Sequence, residues 1–195
     1  MLKLLKYGNT ITCFVVGEGQ QGLLVDTDWA GTLPLFFREI KRAGIALADI
    51  AYVMATHYHP DHMGLISELA ELGIKHLVLD VQRDCLHFSD DIFGRKKGTS
   101  YKPIDDSKAV VISCAESRAF LHDIGISGEI IHTPAHSRDS VTLILDGGTA
   151  LAGDLPPCSN IEAYDDNEML ASCWESILSR KPQAVFYSHA PCEKF

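Results

Sequence analysis

The sequence predicts an α/β protein in which β-sheet layers are covered by helices. Short apolar runs bounded by Gly, Pro, Asp or Ser recur along the chain of 195 residues, and amphipathic segments with helical periodicity separate several of them. The sequence contains no internal repeat, low-complexity tract or linker. We therefore expect a single domain over residues 1–195, long enough to bury a substantial core without disulfide bonds or a structural metal.

Local patterns define the individual elements. The first residues indicate two strands around a Gly-Asn turn, and the stretch "GEGQQG" marks the turn of the next antiparallel pair. The predicted strands are 12–17, 22–27, 50–56, 76–80, 109–113, 128–133, 140–146, 148–153 and 184–188. Pro34 near its start and Gly44 at its end mark the first helix, and Gly73 ends the second. The predicted helices are 33–44, 62–73 and 165–180.

Residues 88–105 are polar, contain Gly and lack a clear period, which predicts a loop. Phe88 and the cations Arg95, Lys96 and Lys97 leave two interpretations open for this loop. It is either a substrate lid with a cationic lip, suited to an anionic substrate, or a solvated loop.

Composition and charge restrict the class of protein. The formal net charge of -9 argues against a general nucleic-acid or anionic-membrane binder, because both need a cationic face. No apolar run is long enough to span a bilayer, and the N-terminus lacks the pattern of a signal peptide. The six Cys are scattered without a C-x-x-C motif, so we expect reduced thiols in a cytoplasmic protein.

The stretch "ATHYHPDHMG" directly follows a predicted buried strand and carries four potential metal ligands, His57, His59, Asp61 and His62. In an extended segment, the i, i+2, i+4 spacing of the first three would point their side chains the same way. Pro60 favours that conformation because it disfavours a helical residue before it. His62 is out of phase and is suited to a second ion.

Further potential ligands also follow predicted strands. His136 lies in "HTPAHSRDS", Asp154 in "ALAGDLPP" and His189 in "FYSHAP". Residues at the ends of strands converge in space when the strands share a sheet edge. These residues are therefore candidates to complete the coordination that the histidine motif begins.

The chain resembles the metallo-β-lactamase superfamily over essentially its whole length. The resemblance rests on five motifs in the family's order, "LLVDT" with Asp26, "THYHPDH", "PAHSRDS", "AGD" and "SHA". It implies a four-layer αββα sandwich, in which two packed β-sheets have helices outside and a dinuclear metal centre lies between the sheet edges.

The resemblance also implies a role for each motif residue. It assigns His57, His59 and His136 to the first ion. It assigns Asp61, His62 and His189 to the second ion, and Asp154 would bridge the two ions. Asp26 would support the histidine loop without binding metal. The family's usual Gly before the third-motif His is Ala135 here, which restricts positive φ and predicts a slight difference in that loop.

Imidazole and carboxylate ligands without thiolate suit two divalent ions, most readily Zn²⁺, with Fe or Mn as alternatives. Such a pair generates hydroxide at neutral pH and polarises an acceptor oxygen. We therefore predict a hydrolase in which a metal-bridging hydroxide attacks a thioester, lactone or other ester of a small molecule. Asp61 is the predicted catalytic residue that orients the nucleophile or receives its proton. Asp26 or Asp139 would accept the outer N–H of a ligand imidazole.

Two other functions stay open. One is an iron-dependent redox enzyme similar to the persulfide dioxygenases or flavodiiron reductases. His59 and the retained second ligand set argue against it, since the flavodiiron enzymes replace that His by a carboxylate and the dioxygenases use a single iron. The other is a metal-binding family member without catalysis. Small family members often pair, which leaves a homodimer open, and the sequence itself does not specify the oligomeric state.

Overall fold

Two β-sheets pack face to face in the computed structural model, which describes residues 1–19, 21–95, 100–164 and 167–195. The first sheet has the strand order β1-β2-β3-β4-β5-β6. Its strands are β1 (Leu2–Lys6), β2 (Ile11–Val16), β3 (Gly22–Val25), β4 (Ile50–Met54), β5 (Lys75–Leu79) and β6 (Val110–Ile112). The second sheet has the order β11-β10-β9-β8-β7. Its strands are β7 (Gly128–His132), β8 (Val141–Leu145), β9 (Thr149–Leu151), β10 (Ala184–Phe186) and β11 (Glu193–Lys194).

Helices cover the outer face of each sheet. The α-helices of the described residues are α1 (Leu33–Arg42), α2 (Pro60–Met63), α3 (Ile66–Glu71), α4 (Asp90–Arg95), α5 (Ser117–Asp123) and α6 (Glu168–Leu178). Short 3-10 helices lie at Leu47–Asp49, Asp80–Cys85, Asp106–Lys108 and Cys158–Tyr164.

Apolar side chains form three buried layers. The central layer lies between the sheets and contains Leu23 and Met54 from the first sheet and Leu143 from the second. A second layer packs α1 and α3 on the first sheet, and a third packs α6, with the buried Trp174, on the second. The predicted fold class, an α/β protein built as an αββα sandwich, is therefore confirmed.

The strand directions bring the candidate residues to one edge of the sandwich. β3 runs parallel to β4, and β9 runs parallel to β10, so the carboxyl ends of each pair lie side by side. Two backbone hydrogen bonds join the sheets at this edge, from Ile11 N to Ser188 O at 3.0 Å and from Val141 N to Thr56 O at 2.9 Å. The loops that follow these strands are held against one another.

Several predicted elements need correction. The helix predicted over 62–73 is two helices, α2 and α3, which are separated at Gly64 and Leu65. An added Cβ at Gly64 would lie 2.3 Å from Ala30 N, so no side chain fits there. The loop predicted over 88–105 contains α4, stabilised by acidic residues in its first turn and by the buried Phe93 stacked on Tyr101 at 4.1 Å.

Two other findings concern α5 and the predicted cationic lip. Helix α5 was not predicted, and the Ser117 hydroxyl at its start accepts a hydrogen bond from Ile130 N at 2.8 Å. The predicted cationic lip includes Lys96 and Lys97, which lie outside the described residues.

Among the helices in the described ranges, none has the length and apolar character needed to cross a membrane.

One histidine outside the metal motifs is buried in the first sheet. His76 is 3 % exposed, and its Nε2 lies 2.8 Å from the hydroxyl of the buried Tyr58. Burial lowers the pKa of His76 to about 4. The folded protein therefore keeps this ring neutral at pH values where the unfolded chain, with a pKa of about 6.5, already binds a proton.

This difference predicts a pH-dependent stability. The contribution of His76 is fully present above about pH 6.5 and falls by up to about 3 kcal/mol as the pH drops towards 4. Urea unfolding of the chelator-treated protein between pH 4 and 7.5 will measure the free energy of unfolding. We expect H76Q to lack this part of the slope, and parallel curves for the two proteins would contradict the assignment.

Candidate metal centre

The histidine loop begins extended and becomes helical at Pro60. His59 has φ -71° and ψ 152°, as the proline after it favours, and Pro60 occupies the first turn of α2. Asp61 is therefore on a helix, and the predicted alternation does not extend to it. His57 and His59 point to one group of ligand atoms, whereas Asp61 points with His62 to another.

Three imidazole nitrogens converge in the first group. His57 Nε2 lies 3.0 Å from His59 Nδ1, and His136 Nε2 lies 3.2 Å from the same atom. His57 is fully buried, while His136 faces solvent. A cation on the three lone pairs would satisfy all of them at once, which makes this group a potential metal site.

The second group combines a carboxylate with two imidazoles, from Asp61, His62 and His189. His189 Nε2 lies 3.1 Å from Asp61 Oδ2, and His62 Nε2 lies 3.9 Å from Asp61 Oδ1. His62 is fully buried below the other two side chains. Nitrogen and oxygen donors of this kind suit Zn²⁺, Fe or Mn.

Asp154 lies between the two groups. Its Oδ2 is 3.3 Å from His62 Nε2 and 3.8 Å from His136 Nε2, while its Oδ1 is 3.6 Å from His189 Nε2. Within the part of the chain that the structure describes, His62 Nε2 and Asp154 Oδ1 are buried without a hydrogen-bond partner. Such atoms are costly unless something binds them, so the residues present fit a bound cation.

Asp26 connects the loops beneath the candidate ligands. Its Oδ1 accepts from Thr56 N at 2.6 Å, and its Oδ2 accepts from Thr56 Oγ1, Ser188 Oγ and His62 Nδ1 at 2.9–3.0 Å. The bond from His62 Nδ1 leaves its Nε2 lone pair directed at Asp154. Asp26 also has a φ of 60°, a left-handed conformation that Asp and Asn adopt more readily than most residues.

Two other contacts hold ligand imidazoles in place, and no motif in the sequence led us to predict them. Thr56 Oγ1 donates to Asp26 and lies 3.2 Å from His57 Nδ1, and the backbone carbonyl of Asn9 lies 3.1 Å from His189 Nδ1. Each contact holds the outer ring nitrogen, so that the other nitrogen faces the site. The Asn9 contact belongs to the Gly-Asn turn between β1 and β2, which we predicted only as a turn.

Gln82 joins the histidine loop to the loop after His136. Its amide Nε2 lies within 3.1–3.3 Å of the carbonyl oxygens of Ala55, Thr56 and Asp139, and its Oε1 accepts from Leu79 N at 3.2 Å. The side chain is fully buried. These bonds hold the two loops at a fixed separation, and sequence reasoning missed this residue.

Asp139 supports backbone and hydroxyl groups instead of a ligand imidazole. Its Oδ2 accepts from Tyr58 N at 2.7 Å, and its Oδ1 accepts from the Ser137 hydroxyl. Of the two imidazole partners we considered, the contacts therefore favour Asp26. Ala135 needs no unusual backbone, because the residues other than glycine with positive φ in the described ranges are Asp26 and Lys181.

Several ionisable side chains lie close together in this site and shift one another's pKa. Burial alone would lower the pKa of His62, but the carboxylates of Asp26 and Asp154 outweigh burial and raise it to about 10. Burial, together with the neighbouring imidazoles, lowers the pKa of His57. In the metal-free chain a proton on His62 therefore offsets the carboxylates, and a bound cation would take over that role.

Apolar side chains adjoin the centre. Phe88 is 58 % exposed, and its ring lies 5.6 Å from that of His59. A groove of about 310 Å³ extends from His136 and Asp154 along Leu155, Pro156, Pro157, Tyr187 and Ala190. A carbonyl placed at the centre would have apolar surface available for the groups attached to it.

Comparison with known proteins identifies the class to which the fold and site belong. A family model described as the metallo-beta-lactamase superfamily matches residues 7–189. The chain belongs to the metallo-β-lactamase superfamily.

Two curated relatives are longer than this chain and less than 30 % identical to it over the matched residues. The chain is 28 % identical over 180 residues to a beta-lactamase-like protein 2 homolog of Drosophila melanogaster, covering 90 % of this chain and 57 % of that protein. It is 29 % identical over 143 residues to an atrochrysone carboxyl ACP thioesterase of Aspergillus fumigatus, covering 71 % of this chain and 27 % of the relative. The chain thus spans about half or less of these two relatives.

Solved structures share the fold. The crystal structure of TTHA1623 in a di-iron-bound form superposes with a TM-score of 0.70 at 20 % identity, covering 100 % of this chain and 94 % of that one. Superfamily members bind divalent metals, and the His and Asp clusters of this chain occupy the strand ends described above.

Proposed function

We propose that this protein is a dinuclear metal-dependent hydrolase that cleaves a thioester, lactone or other ester of a small molecule. The observation that carries the proposal is the position of Asp154, with one oxygen near His136 of the first group and the other near His189 of the second. A carboxylate between two ligand groups suits a pair of ions that share it. The thioesterase named among the relatives supports acyl substrates.

The proposed mechanism assigns roles to residues of this chain. In the first group His57, His59 and His136 would hold one ion, and in the second Asp61, His62 and His189 would hold the other. Two such ions supply hydroxide from water at neutral pH and polarise the substrate carbonyl. Asp61 faces His189 at the solvent side of the site, so its carboxylate orients the attacking water and receives its proton. Phe88 and the groove at Pro156 bind the apolar parts of the substrate.

Elemental analysis of protein purified without added metal or chelator tests this proposal, together with hydrolysis of a panel of p-nitrophenyl esters, acyl thioesters and lactones. We expect about two ions per chain, mainly zinc, and hydrolysis of at least one acyl class. Bound ions without turnover of any of these substrates would contradict the proposed hydrolase activity and would favour a metal-binding protein without catalysis.

The iron-dependent redox alternative has one observation in its favour, the similar structure in a di-iron-bound form. The same donor set accepts iron, since imidazole and carboxylate bind both metals. This alternative predicts mainly iron in the purified protein and oxygen consumption in place of ester hydrolysis. The two measurements therefore separate the two functions.

A further inference from the structure

The turn between β1 and β2, residues 7–10, lies against the second ligand group. Two consecutive residues of this turn contact two of the three candidate ligands in that group. The backbone carbonyl of Asn9 accepts a hydrogen bond from His189 Nδ1 at 3.1 Å, and the Thr10 hydroxyl donates to the backbone carbonyl of Asp61 at 2.7 Å. One short turn therefore touches both of the loops that supply these ligands.

The Thr10 hydroxyl holds the backbone that carries the Asp61 carboxylate. Helix α2 is a single turn, and the last four carbonyls of a helix lack partners within it. Thr10 is 1 % exposed, so its hydroxyl replaces water as the donor to the carbonyl of Asp61. Removal of this donor would leave the carbonyl short of a partner, which is costly in a buried place. The position of the Asp61 backbone thus depends on Thr10.

The turn is itself held in place by Asp28. Thr10 N donates to Asp28 Oδ2 at 3.1 Å, and Asp28 Oδ1 accepts from Trp29 N at 2.6 Å. Gly8 allows this carboxylate to lie against the turn, because an added Cβ there would overlap Asp28 Oδ2. Asp28 is buried, so water does not compete for these bonds. The turn is therefore a fixed support for the two ligands.

The first ligand group has other supports. Thr56 Oγ1 lies 3.2 Å from His57 Nδ1, and the ring of Phe88 lies 5.6 Å from that of His59. In the part of the chain that the structure describes, no hydrogen bond joins residues 7–10 to an imidazole of the first group. The two groups are thus positioned by different segments of the chain.

We propose that the β1–β2 turn sets the affinity of the second metal position with little effect on the first, and that Thr10 is the positioning residue for Asp61. The inference rests on the proposed dinuclear centre and deepens it, because it assigns a separate support to each position. Occupancy of the second position then depends on a segment that carries no ligand itself.

Zinc titration in competition with a chromophoric chelator tests this inference in the wild type, T10V and T10S. Valine keeps the shape of the side chain and removes the donor, whereas serine keeps the hydroxyl. We expect T10V to bind the second zinc about 10–100-fold more weakly, as for loss of an outer-shell partner, and the first zinc within about twofold of the wild type. T10S should bind both ions like the wild type.

Histidine-ring ¹H–¹⁵N spectra identify the position that is weakened. In T10V with one equivalent of zinc, we expect the ring signals of His57 and His136 to shift and that of His189 to stay at its metal-free position. An excess of zinc should then shift the His189 signal as well.

Thr12→Val is the matched control. Thr12 is also buried in this hairpin, and its hydroxyl donates one hydrogen bond, to the Tyr7 hydroxyl at 3.1 Å, without touching a ligand. We expect T12V to keep both zinc affinities. Circular dichroism of the chelator-treated proteins checks that each variant is folded, and Thr10→Ala repeats the test if T10V does not fold.

Equal affinity of the wild type and T10V for the second zinc would overturn the inference. Equal weakening of both ions in T10V, or the same weakening in T12V, would show a general loss of stability and would also overturn it. A wild type that binds a single zinc would overturn the dinuclear centre and this inference with it. The titrations do not involve turnover, so a protein that binds two ions and hydrolyses no ester would contradict the proposed function and not this inference.

Discussion

Replacing Asp154 with alanine is expected to remove bound metal and to lower kcat/KM for the best acyl substrate by at least about 10³-fold, beyond the roughly 10–100-fold typical for loss of an outer-shell partner. Asp154 is the candidate that faces both ligand groups, with oxygen–nitrogen distances of 3.3–3.8 Å to three histidines. Its loss would therefore weaken both positions at once. Metal content per chain and steady-state kinetics measure the two effects.

The fold should survive this change. The Asp154 side chain is partly exposed, and the buried His62 keeps its hydrogen bond to Asp26. Circular dichroism and urea unfolding in the presence of a chelator will check that the variant is folded. Asp123→Ala is the matched control, because this carboxylate on α5 is exposed and lies outside the candidate metal groups. Retention of both metal and turnover by D154A would show that our assignment of the bridge is wrong.

The second large effect is expected from Asp26→Asn. The asparagine keeps the shape and tolerates the positive φ, but its amide nitrogen cannot accept hydrogen bonds. Four donors converge on the present carboxylate, from Thr56, Ser188 and His62. We expect a loss of about 2–4 kcal/mol in the free energy of unfolding, because buried donors are left unpaired.

The same variant should bind metal about 10–100-fold more weakly, because Asp26 orients the ring of His62 without touching the site itself. Chelator competition measures the affinity, and urea unfolding of the chelator-treated protein measures the stability. Ser188→Ala removes one of the four bonds and should cost about 1 kcal/mol with little change in metal affinity. If D26N unfolds and binds metal like the wild type, Asp26 does not have the positioning role we assign to it.

The candidate site was predictable because its residues follow strands that are themselves easy to recognise. Runs such as "IAYVMAT" are apolar and short, and the polar residues that follow them stand out. The structure brings together all seven residues that we predicted. It also shows that Asp154 lies between the two groups, near His136 of the first and His189 of the second. The identity and number of the ions remain predictions.

The contacts that orient the ligands were less predictable, since they use backbone groups and ordinary polar side chains. Nothing in the local sequence distinguishes Asn9, whose carbonyl holds His189, from any other turn residue. Gln82 lies in a segment with polar neighbours, and only the tertiary structure shows that three carbonyl oxygens surround its amide.

Element boundaries failed where tertiary packing overrides local preference. The pattern over 62–73 is amphipathic throughout, yet α2 and α3 are separated at Gly64 and Leu65, where Gly64 packs closely on residues 28–30. Likewise α5 is short, and the hydroxyl of Ser117 ties its first turn to β7. Both features depend on contacts between segments that are distant in the sequence. The hydrophobic periodicity of a single segment contains no information about such contacts.

The division of the two sheets along the chain has a consequence for assembly. Strands β1–β6 precede α5 and strands β7–β11 follow it, so each sheet is built from one continuous half of the sequence. Neither half carries a full set of ligands, because residues 57–62 belong to the first, whereas His136, Asp154 and His189 belong to the second. A bound cation would therefore fasten one half to the other, and its free energy of binding would be added to that of docking the two halves.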